Sequence, residues 1–291
     1  MDDDSDFEDP ESASRGRGAR GVDKAWVTVA HRMADSAGVV LRAYFRKPLK
    51  GDVNKADGSP VSEADKQSEA AMRAVIEQAV ESGELPEAGI LGEEMGLTPA
   101  ASGSKSRFTW VLDPIDGTKS FMAGKPTFGV LIALLRDGVP VMGIIDQPIT
   151  RERWVGVEGR QTTLNGEVCE TDQRTERLQD AIMYCTSPTM FEGCEESMKA
   201  FKRLEEHTRF TVGSSDCYGY GLVASGYGGL ACEANLQPYD YLALVPIIEG
   251  AGGLVRDWEG NRLRLGYTGD KVLAAGNAVL AHKALKLLSG K

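Results

Sequence analysis

Histidine, paired cysteines and positive charge are all scarce in this sequence. The only histidines among 291 residues are His31, His207 and His282, and none lies near another candidate catalytic group. Histidine-based triads and His-rich metal sites are therefore not expected. The five cysteines, Cys169, Cys185, Cys194, Cys217 and Cys232, are odd in number and include no C-x-x-C pair. That spacing argues against a disulfide framework or a thiolate zinc site and for reduced thiols in a reducing compartment. Lys plus Arg number 33 against 43 Asp plus Glu, a net charge of −10. No basic surplus exists to displace counterions from a phosphate backbone, so no nucleic-acid partner is expected. Nor does any run approach the roughly 18 apolar residues of a membrane span, so no membrane partner is expected either.

Hydrophobic residues make up 42% of the chain, enough for a substantial core in one large domain or two moderate ones. Residues 1–21 carry seven acids and three arginines and few apolar groups, so this segment is expected to be a disordered acidic tail. From Asp23 the pattern changes: Trp26, Val29, Met33, Ala37, Val40, Leu41 and Tyr44 mark an amphipathic helix ending before Pro48. A second helix is expected from about Ser62, with Asp65 completing a capping box, to about Glu81. Short apolar runs then read as strands at 89–92, 108–112, 128–135, 139–146 and 153–157, followed by a turn at Asn165-Gly166. In the second half, strands are expected at 181–186, 210–212, 230–233, 254–257 and 271–275. Helices are expected at 195–206, 218–225, 239–250 and 277–288. Mixed elements around an antiparallel meander imply a layered α/β (α+β) fold, with halves at 22–170 and 171–291.

Clusters of oxygen ligands stand at the ends of these runs. The first is Gly92-Glu93-Glu94-Met95-Gly96; the second is Trp110–Phe121, WVLDPIDGTKSF; the third is Pro238-Tyr239-Asp240-Tyr241, ahead of Ala251-Gly252-Gly253. A weaker one runs from Lys55 to Asp65. In the second, the strand delivers Asp113, and Pro114, which has no N–H, is expected to stop the ladder. The turn then brings Asp113, Asp116 and the Ile115 carbonyl together, an all-oxygen set that suits a hard cation such as Mg²⁺. Should a helix begin at Asp116, the amides of Gly117 and Thr118 would hold a phosphate. Taken singly, these features have plainer readings: an Asp-Pro turn, a solvated Glu93-Glu94 loop, an acid at a helix start for Asp240. An EF-hand does not fit, because residue 124, where its bidentate Glu would fall, is glycine.

Together and in order, these motifs resemble the inositol monophosphatase-like superfamily of Mg²⁺-dependent phosphatases, from about residue 23 to the C-terminus. The core signature W-[VI]-[LI]-D-P-[IL]-D-G-T-x-x-F-x-x-G is matched throughout by Trp110–Gly124. Longer strings, such as SSDCYGYGLVASG and QPYDYLALVPIIEGAGG, are more similar to plant-type and bacterial histidinol-phosphate phosphatases. Simple inositol monophosphatases usually have Asn at Ser120 and Trp at Tyr239. The resemblance implies an αβαβα sandwich and two to three Mg²⁺ ions. One ion would be held by Glu93, Asp113 and the Ile115 carbonyl, another by Asp113, Asp116 and Asp240, and a third through Glu93 near Asp65. Catalysis would fall to Glu93, Asp113 and Thr118, with phosphate on Gly117 and Thr118 and Lys55 near the metals.

The implied substrate is a small phosphate ester. Histidinol phosphate carries an ammonium and an imidazole, which call for carboxylates. Glu233, Asp216 with Ser215, Asp116 and Asp240 are the substrate-binding residues so implied, although Asp216 could equally cap the helix that follows it. Inositol phosphate or a broader set of sugar and nucleotide phosphates is the alternative substrate class. A non-catalytic scaffold would be free to lose metal ligands, and every one is present. Gly229-Leu230 departs from the Asp-Leu or Asp-Gly of many relatives. A homodimer, in the cytosol or the plastid stroma, is also expected from the likeness.

Overall fold

The computed structural model describes residues 21–47, 53, 54, 60, 61, 63–101 and 106–290. The expected acidic tail falls almost wholly outside these residues, as do Lys55 and the Ser62 half of the capping box. In chain order the first elements are α1 (Lys24–Tyr44), β1 (Val53–Asn54), β2 (Pro60–Val61), α2 (Glu63–Glu81), β3 (Gly89–Gly92), β4 (Gly96–Thr98) and β5 (Phe108–Asp116). Next come α3 (Thr118–Met122), β6 (Gly129–Arg136), β7 (Val139–Gln147), β8 (Glu152–Val157), β9 (Thr163–Leu164) and β10 (Glu167–Val168). The second half holds β11 (Ile182–Cys185), α4 (Glu195–His207), β12 (Phe210–Gly213), α5 (Asp216–Ala224), β13 (Leu230–Glu233) and α6 (Pro238–Tyr241). It closes with α7 (Leu244–Gly250), β14 (Leu254–Arg256), β15 (Val272–Ala275) and α8 (Ala278–Ser289).

Five layers result. Eight strands form one sheet in the order β10-β9-β8-β7-β6-β5-β3-β4, antiparallel except for β3 beside β5. Five form another in the order β12-β11-β13-β15-β14. The apolar stripe of α1 and α2 (Trp26, Val29, Met33, Met72, Ile76) covers one face of the larger sheet, packing on Trp110, Leu112, Ile132 and Ile144. Its other face, with Val111, Leu131, Ile145 and Trp154, packs on α5 and α7 and through them on the smaller sheet. Beyond that sheet, α4 and α8 close the stack through Phe201, Leu204, Ala284 and Leu288. Because both faces of β6 and β7 are covered, these strands read as unbroken apolar runs rather than alternating ones. Each fully buried Leu or Ile among them contributes about 1.5–3 kcal/mol.

Two glycines set one layer spacing. Gly143 and Gly156 are partners across β7 and β8, and the start of α7 presses on both. A Cβ on Gly143 would stand 1.9 Å from the Ala243 carbonyl oxygen, and one on Gly156 would stand 2.3 Å from that of Pro246.

The expected helix at 239–250 is two helices, α6 and α7. Pro246 has no N–H for the Leu242 carbonyl, so the helical ladder breaks there. No disulfide forms; all five cysteines are free. Among the described residues no helix is long and apolar enough to cross a membrane.

Candidate active site

Strand β5 does not end at Pro114. Asp113 pairs with Leu131 and Asp116 with Gly129, so three steps on β5 face two on β6, a β-bulge. The neighbouring β3 pairs with β5 only as far as Gly92 opposite Leu112, so the missing N–H of Pro114 is not needed on that side. The bulge turns the Asp113 carboxyl inward, where Oδ1 accepts the Ile115 amide at 3.0 Å. Thr118 Oγ1 donates to the Ile115 carbonyl at 3.1 Å. Gly117 then turns the chain into α3 with a φ of +83°, a conformation in which L side chains are strained.

Two groups of carboxylates meet at this corner. Oxygens of Asp113, Asp116 and Asp240 lie within 4.8 Å of one another, and so do oxygens of Asp65, Glu93 and Glu94. Glu93 follows β3, its amide bonded to the Leu112 carbonyl at 3.1 Å. Asp240 sits in the first turn of α6, where Oδ2 accepts the Gln237 amide at 2.7 Å. It is thus a helix-start acid as well as a member of the cluster. Glu93 and Glu94 are half-buried rather than the solvated acids of a plain loop.

Burial first, then Glu93, Asp116, Asp240 and Asp65, hold the Asp113 carboxyl well above the usual range, so the two groups share one field. Asp116 is raised by burial and then by Asp216, Asp240 and Glu233, against a hydrogen bond from Cys217. Asp240 is pushed up to about 7, chiefly by burial. Oxygen donors crowded into one buried negative field fit a hard divalent cation. The one thiol nearby, Cys217, is held neutral by burial and by Asp116, which argues against a softer metal.

The residues expected to touch substrate are assembled beside Asp116. Asp216 does not cap a helix amide. Its Oδ2 accepts from Ser120 Oγ at 2.5 Å and Thr127 Oγ1 at 3.0 Å, and its amide donates to Thr186 Oγ1 at 3.1 Å. Ser120 is thus the partner of Asp216. Glu233, at the end of β13, accepts from the Thr186 amide at 2.8 Å and the Tyr220 hydroxyl at 3.1 Å. Asp116 Oδ2 takes the Cys217 amide at 2.5 Å, placing the N-terminal end of α5 against a carboxylate. The buried Ser215 hydroxyl has no hydrogen-bond partner among the described residues.

Sequence reading missed Glu69, Arg73, Thr127, Thr186 and Tyr220. For Glu69 a signal existed: Asp65, Glu69, Met72 and Ile76 share one buried face of α2, where an unpaired charge is costly. Glu69 Oε2 accepts the Glu94 amide at 2.7 Å.

Comparison with known proteins agrees with this geometry. The sequence model of the inositol monophosphatase family matches residues 23–290. The bifunctional phosphatase IMPL2, chloroplastic, of Arabidopsis thaliana is 46% identical over 269 residues, covering 90% of this chain and 75% of its own. A histidinol-phosphatase of Chlorobaculum parvum is 31% identical, covering 86% and 92%. Among solved structures, an inositol monophosphatase from Zymomonas mobilis is 45% identical with a TM-score of 0.79, over 94% of this chain and all of that one.

Proposed function

The chain belongs to the inositol monophosphatase family and is a phosphatase, and we propose that it hydrolyses L-histidinol phosphate to L-histidinol and phosphate with Mg²⁺. Glu93, Asp113 and the Ile115 carbonyl would hold one ion, Asp113, Asp116 and Asp240 a second, and Asp65 with Glu93 a third. Bound there, Mg²⁺ supplies polarisation of the phosphoryl oxygens and compensates charge on the entering and leaving oxygens. The remaining work falls to the chain itself. The first amides of α3, at Gly117 and Thr118, have no intrahelical acceptor and orient the phosphate. Glu93 accepts the proton of the attacking water, and the Thr118 hydroxyl, one hydrogen bond from the Ile115 carbonyl, orients that water.

The observation that carries the substrate assignment is the pair of buried acids, Asp216 and Glu233, in the field of Asp116. Hydroxyl and amide donors hold both, rather than arginines. Exposed Lys119 and Lys125 offset only part of the charge on Asp216. Such a wall suits an alcohol bearing an ammonium better than a neutral polyol. The similarity to a histidinol-phosphatase supports this reading. A second reading, inositol 1-phosphate, is favoured by the 45% identity to the Zymomonas protein.

Phosphate release from histidinol phosphate and from myo-inositol 1-phosphate, each with Mg²⁺ and with EDTA, tests the assignment. A kcat/KM preference for histidinol phosphate above about a hundredfold, or about 2.7 kcal/mol, is expected, with EDTA abolishing both activities. The reverse preference would sink the substrate assignment and keep the metal site. A homodimer and residence in the plastid, the latter by likeness to the chloroplastic Arabidopsis relative, belong to the same proposal.

A further inference from the structure

We propose that Glu69 and Arg73 form a clamp that sets where the Glu93 carboxylate stands, and thereby the affinity of the site for a divalent cation. This inference rests on the reading of Glu93 as a metal-holding residue.

Glu69 lies one turn after Asp65 on α2 and is fully buried. A buried carboxylate is costly unless it is paired and hydrogen-bonded. Arg73, a turn further on, supplies the pair, with Nε donating to Oε1 at 2.8 Å. The remaining acceptor capacity is directed at two backbone amides, Glu94 at 2.7 Å and Met95 at 3.2 Å. These are the first two amides after Glu93. Arg73 then reaches past Glu69: Nη2 donates to the Gly96 carbonyl at 2.7 Å and Nη1 to Thr98 Oγ1 at 2.9 Å.

The turn between β3 and β4 is therefore gripped from α2 at residues 94, 95, 96 and 98. On the other side, the Glu93 amide is tied to Leu112 of β5, one residue before Asp113. The backbone of Glu93 is thus bracketed between the helix that carries Asp65 and the strand that carries Asp113. Gly92 shows how close the clamp sits, since a Cβ there would stand 2.0 Å from Glu69 Oε1. A single rigid helix thus presents Asp65 directly and Glu93 through Glu69. Partners of this kind, one step removed from the ligands, typically change metal affinity 10–100-fold.

Glu69→Gln keeps the shape and replaces one acceptor oxygen with an NH₂ that cannot accept. Titration of the full chain with MgCl₂ by calorimetry, without substrate, reads the metal directly; kcat at saturating Mg²⁺ is measured alongside. Glu69→Gln is expected to weaken Mg²⁺ binding about tenfold and lower kcat less than threefold. In Glu69→Gln/Glu93→Gln the two losses should fail to add. Ile76→Val, on the same helix face, should lower the melting temperature and leave Mg²⁺ affinity unchanged. If Glu69→Gln behaves like Ile76→Val, or its loss adds fully to that of Glu93→Gln, the clamp has no bearing on the metal. If Glu93→Gln itself binds Mg²⁺ like the parent, the metal reading of Glu93 fails, and the clamp's purpose with it. Should Glu69→Gln not fold, Arg73→Lys, which keeps the charge and loses the fork, is expected to weaken Mg²⁺ binding about threefold. Unchanged binding in that variant would overturn the inference.

Discussion

Replacing Gly117 by alanine probes the corner where phosphate and substrate alcohol are expected to meet. Two costs follow from the geometry. Residue 117 sits at a φ of +83°, and an L residue there costs roughly 1–2 kcal/mol. The new Cβ would also stand 2.6 Å from Asp216 Cγ and 2.9 Å from its Oδ2, so the carboxyl must retreat by nearly an ångström. The same Oδ2 accepts from Ser120 and Thr127, and losing one such charged hydrogen bond costs about 1.5–3 kcal/mol. The sum is roughly 2.5–5 kcal/mol of stability. Activity should fall further than stability alone requires, because a 1 Å shift of the α3 amides can cost about a hundredfold. Urea unfolding and kcat/KM on histidinol phosphate read the two effects. In an Asp216→Gly background, which removes the Cβ at 2.8 Å as well as the carboxyl, the steric part disappears, so Gly117→Ala should cost only the backbone share there. Equal costs in both backgrounds, or a Gly117→Ala protein within threefold of the parent in kcat/KM, would refute the reasoning.

Two further outcomes are expected. Asp216→Asn should raise KM for histidinol phosphate about tenfold or more and that for myo-inositol 1-phosphate less than twofold; equal shifts would remove Asp216 from the recognition of charge. Metal-free protein should be less stable at pH 8 than at pH 6.5, and added MgCl₂ should reverse the order, as followed by melting temperature. The sign comes from Asp240, whose folded-state pKa of about 7 lies above the ordinary 3.8. The folded state keeps a proton that the unfolded chain has released, so stability drains away as pH rises through 7, by about 1 kcal/mol over this window for this group alone. Burial lowers the pKa of His31 below 6.5, a shift that favours the folded state as pH rises and so opposes that of Asp240; a metal-free protein more stable at pH 8 would contradict the expectation that the acid cluster dominates.

The elements legible in the sequence were those with a continuous apolar signal. The runs of β5, β6 and β7 and the stripe of α1 could be read because burial on one or both faces leaves a pattern in the residues themselves. Strand β4 was missed: it is three residues long, at a sheet edge, with Leu97 exposed, so it carries no such signal. The bulge at Pro114 was misread as a strand end, because whether a missing N–H matters depends on which neighbours the strand has at that point, and sequence does not reveal that. The acids of the DPIDG corner and Asp240 were legible as a set through their order and flanks. Glu69 and Thr186 were not, since each acts through a backbone amide or hydroxyl distant in sequence. Gly229, where the resemblance leads one to expect an aspartate, is required by its surroundings. A Cβ there would stand 2.8 Å from Ala181 Cβ and 3.0 Å from Leu280 Cδ1, which leaves no room for an aspartate.

The paired glycines of β7 and β8 bear on how such a protein can change over generations. Ala243, whose carbonyl rests on Gly143, lies three residues after Asp240. That groove therefore seats the start of α7 close behind the segment that carries Asp240. A methyl group at either glycine would press on α7, the helix that follows the Asp240 segment, with no residue of the site altered. Residues 120, 216 and 233 take no part in that groove, so substitutions there, where the alcohol is proposed to bind, leave the contact at 143 and 156 as it is.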